Sequence, residues 1–144
     1  QPLAVILSDL DWFKQINDRL GHRTGDRVLR QTAGILAGHV RQTDLVVRWG
    51  GEEFLVVCPH ADQEGVAALA EKLRQRVEEQ AVEGGGLITL SLGWALAREG
   101  EGVEDLVARA DQGLYLAKQK GRNRVESLEP SAMAAQDHSD LPHG

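Results

Sequence analysis

Two groups of carboxylates follow apolar or glycine-rich stretches of this sequence. Asp9 and Asp11 come directly after an apolar, β-rich stretch, and Glu52 and Glu53 come directly after a pair of glycines. Carboxylates held close together at strand ends repel one another unless a cation neutralises them. Oxygen ligands without nearby His or Cys favour Mg²⁺, which keeps coordination positions for water and substrate phosphates. The two groups predict a magnesium site for phosphoryl or nucleotidyl transfer, with a solvated acidic turn as the alternative.

Cations that suit an anionic substrate lie far along the chain. Lys118 and Arg122 are four residues apart, so one helix end can direct both side chains towards a phosphate. Cations also complement the negative end of a helix dipole, and from these residues alone that local role is the alternative. Arg41 and Asp44 form an R-x-x-D pattern, which in isolation is typical of an exposed connection between a helix and a strand.

The composition fits one globular domain. The 144 residues are 42% apolar, which is enough for a hydrophobic core. The formal net charge of -6 and the lack of a basic face argue against binding to nucleic acid or to anionic membranes. The single cysteine, Cys58, excludes an internal disulfide, and the apolar runs are too short to span a membrane. Because the sequence opens in an apolar run without Met or a signal peptide, we expect a cytoplasmic piece of a longer protein.

Periodicity and turn residues predict the elements that position these side chains. A continuous apolar run is typical of a strand buried on both faces, and paired glycines indicate a hairpin, because a tight turn favours positive φ. The predicted strands are Leu3–Leu7, Asp44–Trp49, Glu53–Val57, Leu87–Leu96 and a short one at Val125; the predicted helices are Gly25–Val40, Ala61–Gln80 and Val103–Lys120, the last stopped by Gly121. We expect an α+β fold in which a central, mainly antiparallel sheet is flanked by helices.

Five ordered motifs resemble those of the GGDEF-domain diguanylate cyclases, over about Leu3 to Val125. Residues 48–54 read RWGGEEF and contain a GGEEF variant of the signature, and residues 9–14 read DLDWFK, which is similar to D-x-D-x-F-K. The others are the Asn-Asp, Gly-His and Gly-Asp pairs within residues 17–26, Ser-Leu-Gly at 91–93, and the run from Ala110 to Asn123. The resemblance implies a palm-like or ferredoxin-like fold of the nucleotide-cyclase type.

The resemblance also implies a reaction. Two GTP molecules are condensed into cyclic di-GMP with release of pyrophosphate, in a homodimer whose active sites face each other across a two-fold axis. Each active site uses two Mg²⁺ ions, with Mn²⁺ as an alternative. A regulatory or sensor domain is expected in the parent chain, and the N-terminal D-x-L-T segment typical of the family is missing from this sequence. Residues 1–126 would form the catalytic domain, and residues 127–144 a flexible tail.

The matching positions carry implied roles in catalysis. Asp9, the Leu10 carbonyl and Glu52 would bind the metal ions. Glu52 would also accept the proton of the attacking 3′-hydroxyl, and Lys14 would offset charge in the transition state. Glu53 would be a further carboxylate linked to the metal.

Substrate binding is implied for two further sets of residues. Asn17 and Asp26 would read guanine, because a carboxylate accepts from both N1–H and the exocyclic amine, a donor pair that adenine lacks. The local alternative is that Asp26 and Asn17 cap a helix or turn. His22 would lie near the nucleotide, or would be a structural turn residue. The triphosphate would be surrounded by Phe13, Lys14, Gly50, Gly51, Lys118 and Arg122.

Arg41 and Asp44 stand at the spacing of the family's inhibitory product site. Arg can hydrogen-bond the Hoogsteen edge of guanine while Asp takes the N1 side, and Lys72 would join them from the next helix. The resemblance thus implies feedback inhibition by cyclic di-GMP. The alternative functions are a catalytically silent receptor for cyclic di-GMP, a GTP sensor, or a bare dimerisation module, and the intact glycines and carboxylates of residues 50–53 favour the active enzyme.

Overall fold

The computed structural model describes residues 2–80 and 88–129. Five strands form one sheet: β1 (Leu3–Leu10), β2 (Leu45–Arg48), β3 (Glu53–Pro59), β4 (Leu90–Leu96) and β5 (Arg124–Glu126). Their order across the sheet is β2-β3-β1-β4-β5, and all neighbours are antiparallel except β4 and β5, which are parallel. The expected α+β class with a mainly antiparallel sheet is confirmed.

Helices cover both faces of this sheet. They are α1 (Phe13–Leu20), α2 (His22–His39), α3 (Gln63–Glu78) and α4 (Val103–Gln119). The first three pack on one face around Ile6 and Val56, and α4 packs on the opposite face around Val5 and Leu7. Because β1 is central, its alternating side chains enter two separate cores, which explains its unbroken apolar sequence.

The observed elements differ from the predicted ones mainly at their ends. Helix α1 has no counterpart among the predicted helices. Its apolar residues Phe13, Ile16 and Leu20 do follow the spacing of one helix face and pack on the core, but the helix is only eight residues long. Helix α2 begins at His22 rather than Gly25, because the break between α1 and α2 falls at Gly21, which has φ 91°. The first residue of the predicted strand Leu87–Leu96 lies outside the described residues.

Gly93 brings α4 into close contact with β4. A Cβ atom at Gly93 would lie 2.1 Å from the Leu114 nitrogen and 2.2 Å from the Ala110 carbonyl oxygen, both of which belong to the backbone of α4. The helix therefore rests on the sheet at a distance that only a glycine permits. This packing directs the C-terminal end of α4 towards the end of β1, where the first carboxylate group lies.

The residues that follow β5 pack on the domain as far as Glu129. The Ser127 hydroxyl donates to the Trp94 carbonyl oxygen at 2.9 Å, and Glu129 accepts from Arg109 at 2.7 Å. Arg109 also pairs with Glu101, so one guanidinium joins α4 to two other segments. The boundary at residue 126 between a catalytic domain and a tail stays a prediction. No helix within residues 2–80 and 88–129 has the length and apolar content needed to cross a membrane.

Candidate active site

The end of β1 carries the first carboxylate of the site. Asp9 lies on the same side of the strand as Val5 and Leu7, so its side chain faces α4. Lys118, in the last turn of α4, donates to the Asp9 carboxylate with Nζ and Oδ2 2.5 Å apart. The Asp9 side chain is 12% exposed, so the pair is largely shielded from water.

The β2–β3 hairpin brings two more carboxylates to the same place. Glu53 is the register partner of Asp9, and the backbone N–H of Leu10 donates to the Glu52 carbonyl oxygen at 3.2 Å. Burial raises the pKa of Glu52, and the charge of Asp9 raises it further while Lys118 lowers it. The pKa of Glu53 is raised by the same causes in the same order. Three mutually repelling carboxylates and one lysine thus share the edge of the sheet.

The hairpin turn is built differently from the prediction. The prediction of positive φ at the paired glycines is wrong, because neither Gly50 nor Gly51 adopts it. Instead, the N–H groups of Trp49 and Gly50 both donate to the Glu53 carbonyl oxygen. A Cβ at Gly50 would lie 2.7 Å from the Glu53 carboxylate, so a larger residue there would displace that side chain. Arg48 closes the turn by donating to the Gly50 and Gly51 carbonyl oxygens, at 3.3 and 2.6 Å.

Asp11 is a positioning residue that the sequence alone did not single out from its neighbour Asp9. Its buried carboxylate accepts from the hydroxyls of Thr89 and Ser91, at 2.7 and 2.6 Å, and from the backbone N–H of Asn123 at 3.0 Å. Burial raises the pKa of Asp11, and these hydrogen bonds lower it. The carboxylate therefore fastens the end of β1 to β4 and to the turn after α4.

The turn after α4 presents Arg122. Gly121 ends the helix at C′ with φ 120°, as predicted, and the Arg122 N–H returns to the Ala117 carbonyl oxygen at 2.9 Å, as in a Schellman motif. Arg122 itself has φ 65°, and its guanidinium carbon lies 4.2 Å from the centre of the Trp12 ring. Lys118 and Arg122 thus reach the same end of the sheet.

The crossing of α1 and α2 forms a second part of the site. Asn17 Oδ1 is buried without a hydrogen-bond partner, and it lies so close to Gly25 that a Cβ there would be 1.8 Å away. The Phe13 ring reaches the same glycine. The capping alternatives are wrong. Asp26 lies within α2, because the helix starts at His22, and the N–H of Gly21 donates to the backbone carbonyl oxygen of Asn17 rather than to its side chain.

Asp26 opens onto a cavity of about 540 Å³ between α2 and the hairpin. Arg48 and Phe54 line it from the hairpin side, and Leu29 from the helix side. Lys14 and His22 are exposed at the start of α1 and α2. Asp26, one of the two predicted guanine residues, therefore shares a cavity with hairpin residues.

The donor set suits a hard cation. Asp9 and Glu52 offer carboxylate oxygens, and both belong to a group whose mutual repulsion a cation would relieve. Within residues 2–80 and 88–129, no three His, Cys, Asp or Glu side chains form a complete metal-binding group on their own. A metal here would also need backbone or substrate oxygens, as Mg²⁺ commonly does.

The sequence also matches the model of a known protein family. The model described as "Diguanylate cyclase, GGDEF domain" matches residues 1–124. The chain belongs to the GGDEF family. Diguanylate cyclase DosC of Escherichia coli is 42% identical to this GGDEF domain over 129 residues, and response regulator PleD of Caulobacter vibrioides is 43% identical over 130. These matches cover 87% and 86% of the chain, but they span 28% and 29% of the two relatives.

Solved structures share the fold of this GGDEF domain. The GGDEF domain of DgcB from Caulobacter crescentus, in complex with c-di-GMP, is 34% identical with a TM-score of 0.84, over 87% of this chain and 77% of that one. The active GGEEF domain of a diguanylate cyclase from Vibrio cholerae is 39% identical with a TM-score of 0.83, over 88% and 82%. The nucleotide-cyclase type of fold is confirmed.

The R-x-x-D residues of this GGDEF domain lie apart from the carboxylate group, between α2 and β2. Arg41 pairs with Asp44 through two nitrogens, at 3.1 and 2.8 Å, and also donates to the Pro59 carbonyl oxygen at 2.6 Å. The Asp44 side chain is fully buried. Arg41 and Lys72 both line a cavity of about 370 Å³ beside this pair.

Proposed function

We propose that this domain condenses two GTP molecules into cyclic di-GMP and releases two pyrophosphates. The observation that carries the proposal is the convergence of Asp9, Glu52 and Glu53 around Lys118 at one end of the sheet. A family match over residues 1–124 supports the same reaction.

Glu52 is the proposed base. Its raised pKa makes the carboxylate a better proton acceptor than an exposed glutamate. It would take the proton of the 3′-hydroxyl of one GTP as that oxygen attacks the α-phosphate of the other. Glu53 would hold the local negative charge that keeps a cation in place.

Asp9, Glu52 and the Leu10 carbonyl would hold two Mg²⁺ ions, or Mn²⁺ in their place. When bound, the ions would supply charge neutralisation for the phosphates. The residues of the chain do the rest. Lys118, which donates to Asp9 in this structure, and Arg122 would bind the triphosphate as hydrogen-bond donors.

The start of α1 is the proposed second support for the phosphates. No side chain within residues 2–80 and 88–129 caps this helix, so the N–H groups around Phe13 stay available to an anion at the positive end of the helix dipole. Lys14, exposed in the same turn, adds a positive charge. Gly50 and Gly51 would let the phosphates approach the hairpin backbone.

Guanine is the proposed base partner of Asn17 and Asp26. The buried and unpaired Oδ1 of Asn17 is an acceptor that needs a donor, and the guanine edge offers an amine and N1–H. Asp26 opens onto the neighbouring cavity and would accept the other donor. His22, exposed at the start of α2, would lie at the rim. ATP would leave these acceptors unpaired, so GTP is favoured.

Two domains must meet for the reaction to finish. Each domain would hold one GTP, and an isologous homodimer brings the two reacting pairs together. We propose a cytoplasmic domain controlled by a regulatory or sensor domain of the parent chain. SiaD of Pseudomonas aeruginosa is a solved diguanylate cyclase in complex with its activator SiaC, so a relative has a regulatory partner.

Arg41, Asp44 and Lys72 form the proposed inhibitory product site. The cavity beside them is open to a planar anion, and two cations line it. Cyclic di-GMP bound there would slow the enzyme. DgcB in its complex with c-di-GMP is a relative that binds this product.

Incubation with GTP and Mg²⁺ tests the proposed reaction, with the products separated by chromatography. We expect cyclic di-GMP from the unaltered domain and none from Glu52→Ala, with the fold retained in both. Binding of GTP without turnover at any protein concentration would instead indicate a silent GTP sensor.

A further inference from the structure

We propose that Trp12 is a positioning residue that holds the Arg122 guanidinium ready for the triphosphate. The inference rests on the proposed function of Arg122 as a phosphate-binding residue. Trp12 itself would not contact the reacting atoms.

The contact between the two side chains is the first observation. The Arg122 guanidinium carbon lies 4.2 Å from the centre of the Trp12 ring, well within the range of a cation–π interaction. Trp12 is 56% exposed, an unusual position for the largest apolar side chain. Among residues 2–80 and 88–129, no carboxylate forms an ion pair with Arg122. The ring therefore contacts the guanidinium directly, while the Asp11 carboxylate attracts it without forming an ion pair.

The backbone around both residues is held in an uncommon conformation. Trp12 has φ 60° and Arg122 has φ 65°, in the left-handed region that bulky residues seldom adopt. Such conformations persist where the surroundings hold them. Here the Asp11 carboxylate holds the two segments together. Asp11 is the residue before Trp12, and its carboxylate accepts from the N–H of Asn123, the residue after Arg122. The buried Asp11 carboxylate thus holds the turn at Trp12 next to the turn at Arg122.

Stacking on Trp12 leaves the N–H groups of the Arg122 guanidinium free to bind a phosphate. A guanidinium stacked on a ring presents its N–H groups at its edge, where a phosphate can bind in bidentate fashion. A free Arg side chain loses much rotamer freedom when it binds, whereas a stacked one has lost part of it beforehand. Stacking on Trp12 is therefore expected to strengthen triphosphate binding about two- to fivefold, the size of an exposed cation–π contact.

The test measures binding without chemistry. We would titrate 3′-deoxy-GTP, which lacks the attacking hydroxyl, with Mg²⁺ into the unaltered domain and into Trp12→Gly and Trp12→Phe, using calorimetry. Glycine adopts the left-handed backbone without strain, so Trp12→Gly removes the ring while keeping the turn. We expect the Kd to rise about fivefold for Trp12→Gly and less than twofold for Trp12→Phe. Tyr115→Leu, an equally exposed aromatic on α4, should leave the Kd unchanged.

A second background separates positioning from a general effect on the loop. In Arg122→Ala, the further change Trp12→Gly should have no effect on the Kd, because the partner of the ring is gone. An equal fold-change in both backgrounds, or no change in the native one, would overturn the proposal. If the domain binds 3′-deoxy-GTP with this pattern but makes no cyclic di-GMP from GTP, the proposed function fails and the positioning role stands. Absence of any binding by the unaltered domain would overturn both.

Discussion

Lys118 donates a 2.5 Å hydrogen bond to Asp9, although 109 residues separate them along the chain. The contact exists because α4 crosses β4 and β1 and ends where β1 ends. It joins a cation suited to phosphate with a carboxylate suited to a metal. This part of the candidate active site is thus assembled by the packing of α4 on β4 and β1.

Removal of the lysine should change the pH dependence of turnover. Lys118 lowers the pKa of Glu52 and of Glu53, so Lys118→Gln should let both rise. The base then stays protonated to a higher pH, and the acidic limb of the rate profile moves to higher pH. At pH 7 we expect the rate to fall roughly 10²-fold, because a phosphate donor is lost as well.

Rates of cyclic di-GMP formation between pH 5 and 9 would measure this shift. Lys120→Gln is the control, since Lys120 lies two residues away and pairs with Glu126 instead. An acidic limb that stays in place in Lys118→Gln would contradict the electrostatic link between the lysine and the carboxylates.

Glu52→Gln should be inactive and more stable than the unaltered domain. Glu52 has a raised pKa in the folded state, so the folded state binds its proton more tightly than the unfolded state does. Its ionisation therefore costs stability as the pH rises through the folded pKa. The variant avoids this cost, which we expect to be at most about 1 kcal/mol because water partly screens the site.

Thermal unfolding at several pH values checks whether ionisation of Glu52 lowers the stability of the fold. The midpoint of Glu52→Gln should exceed that of the unaltered domain at pH 8, and the difference should shrink as the pH falls towards 4. Glu99→Gln, an exposed carboxylate outside the site, should show no such trend. A difference that grows on acidification would be the wrong sign for a raised pKa.

Gly25→Ala should weaken recognition of guanine. The new Cβ would lie 1.8 Å from Asn17 Oδ1 and would displace that side chain. We expect KM for GTP to rise about tenfold and the preference for GTP over ATP to fall, since an acceptor of guanine donors is moved. Gly34→Ala in the same helix meets nothing within 4 Å and should instead stabilise the fold by about 0.5–1 kcal/mol. Equal KM values for both variants would contradict the role of Asn17.

Gly93→Ala should destabilise the fold by about 3 kcal/mol, measured by urea unfolding. The added methyl would overlap the backbone of α4 at Leu114 and Ala110, which cannot move aside as a side chain can. Gly38→Ala, with open space around it in α2, is the matched control. If both variants unfold at the same urea concentration, α4 does not rest on β4 as closely as described.

Arg41→Ala should relieve inhibition by cyclic di-GMP. It should also cost about 1–3 kcal/mol of stability, because the fully buried Asp44 carboxylate loses its partner. The inhibition constant would be measured by adding cyclic di-GMP to the GTP assay. Arg76→Ala, which breaks an exposed ion pair with Glu79, is the control. Unchanged inhibition in Arg41→Ala would remove this pair from the inhibitory site.

Patterns within a few residues were sufficient to predict most of the fold. The apolar run of β1, the periodicity of α4 and the glycine at its end gave the correct elements, because local spacing decides which faces are buried. Helix α1 was missed because it is only eight residues long and polar or charged residues separate its apolar residues, Phe13, Ile16 and Leu20. Boundaries shifted where one glycine, Gly21, separates two helices.

The site was less predictable, because distant contacts distinguish residues of the same type. Asp9 and Asp11 are alike in sequence, yet Asp11 is committed to Thr89, Ser91 and Asn123, while Asp9 faces Lys118. Those partners are 78 to 112 residues away. Trp12 likewise acquires its role from an arginine at the other end of the chain.

The dependence of the rate on protein concentration tests whether two domains must meet for the reaction. If two domains, each with one GTP, must meet to form cyclic di-GMP, the rate per domain at saturating GTP and Mg²⁺ should rise with protein concentration and level off as dimers form. Sedimentation at the same concentrations should show the dimer fraction rising in parallel. A rate per domain that is constant down to concentrations at which the protein is fully monomeric, or no product at any concentration, would contradict the account.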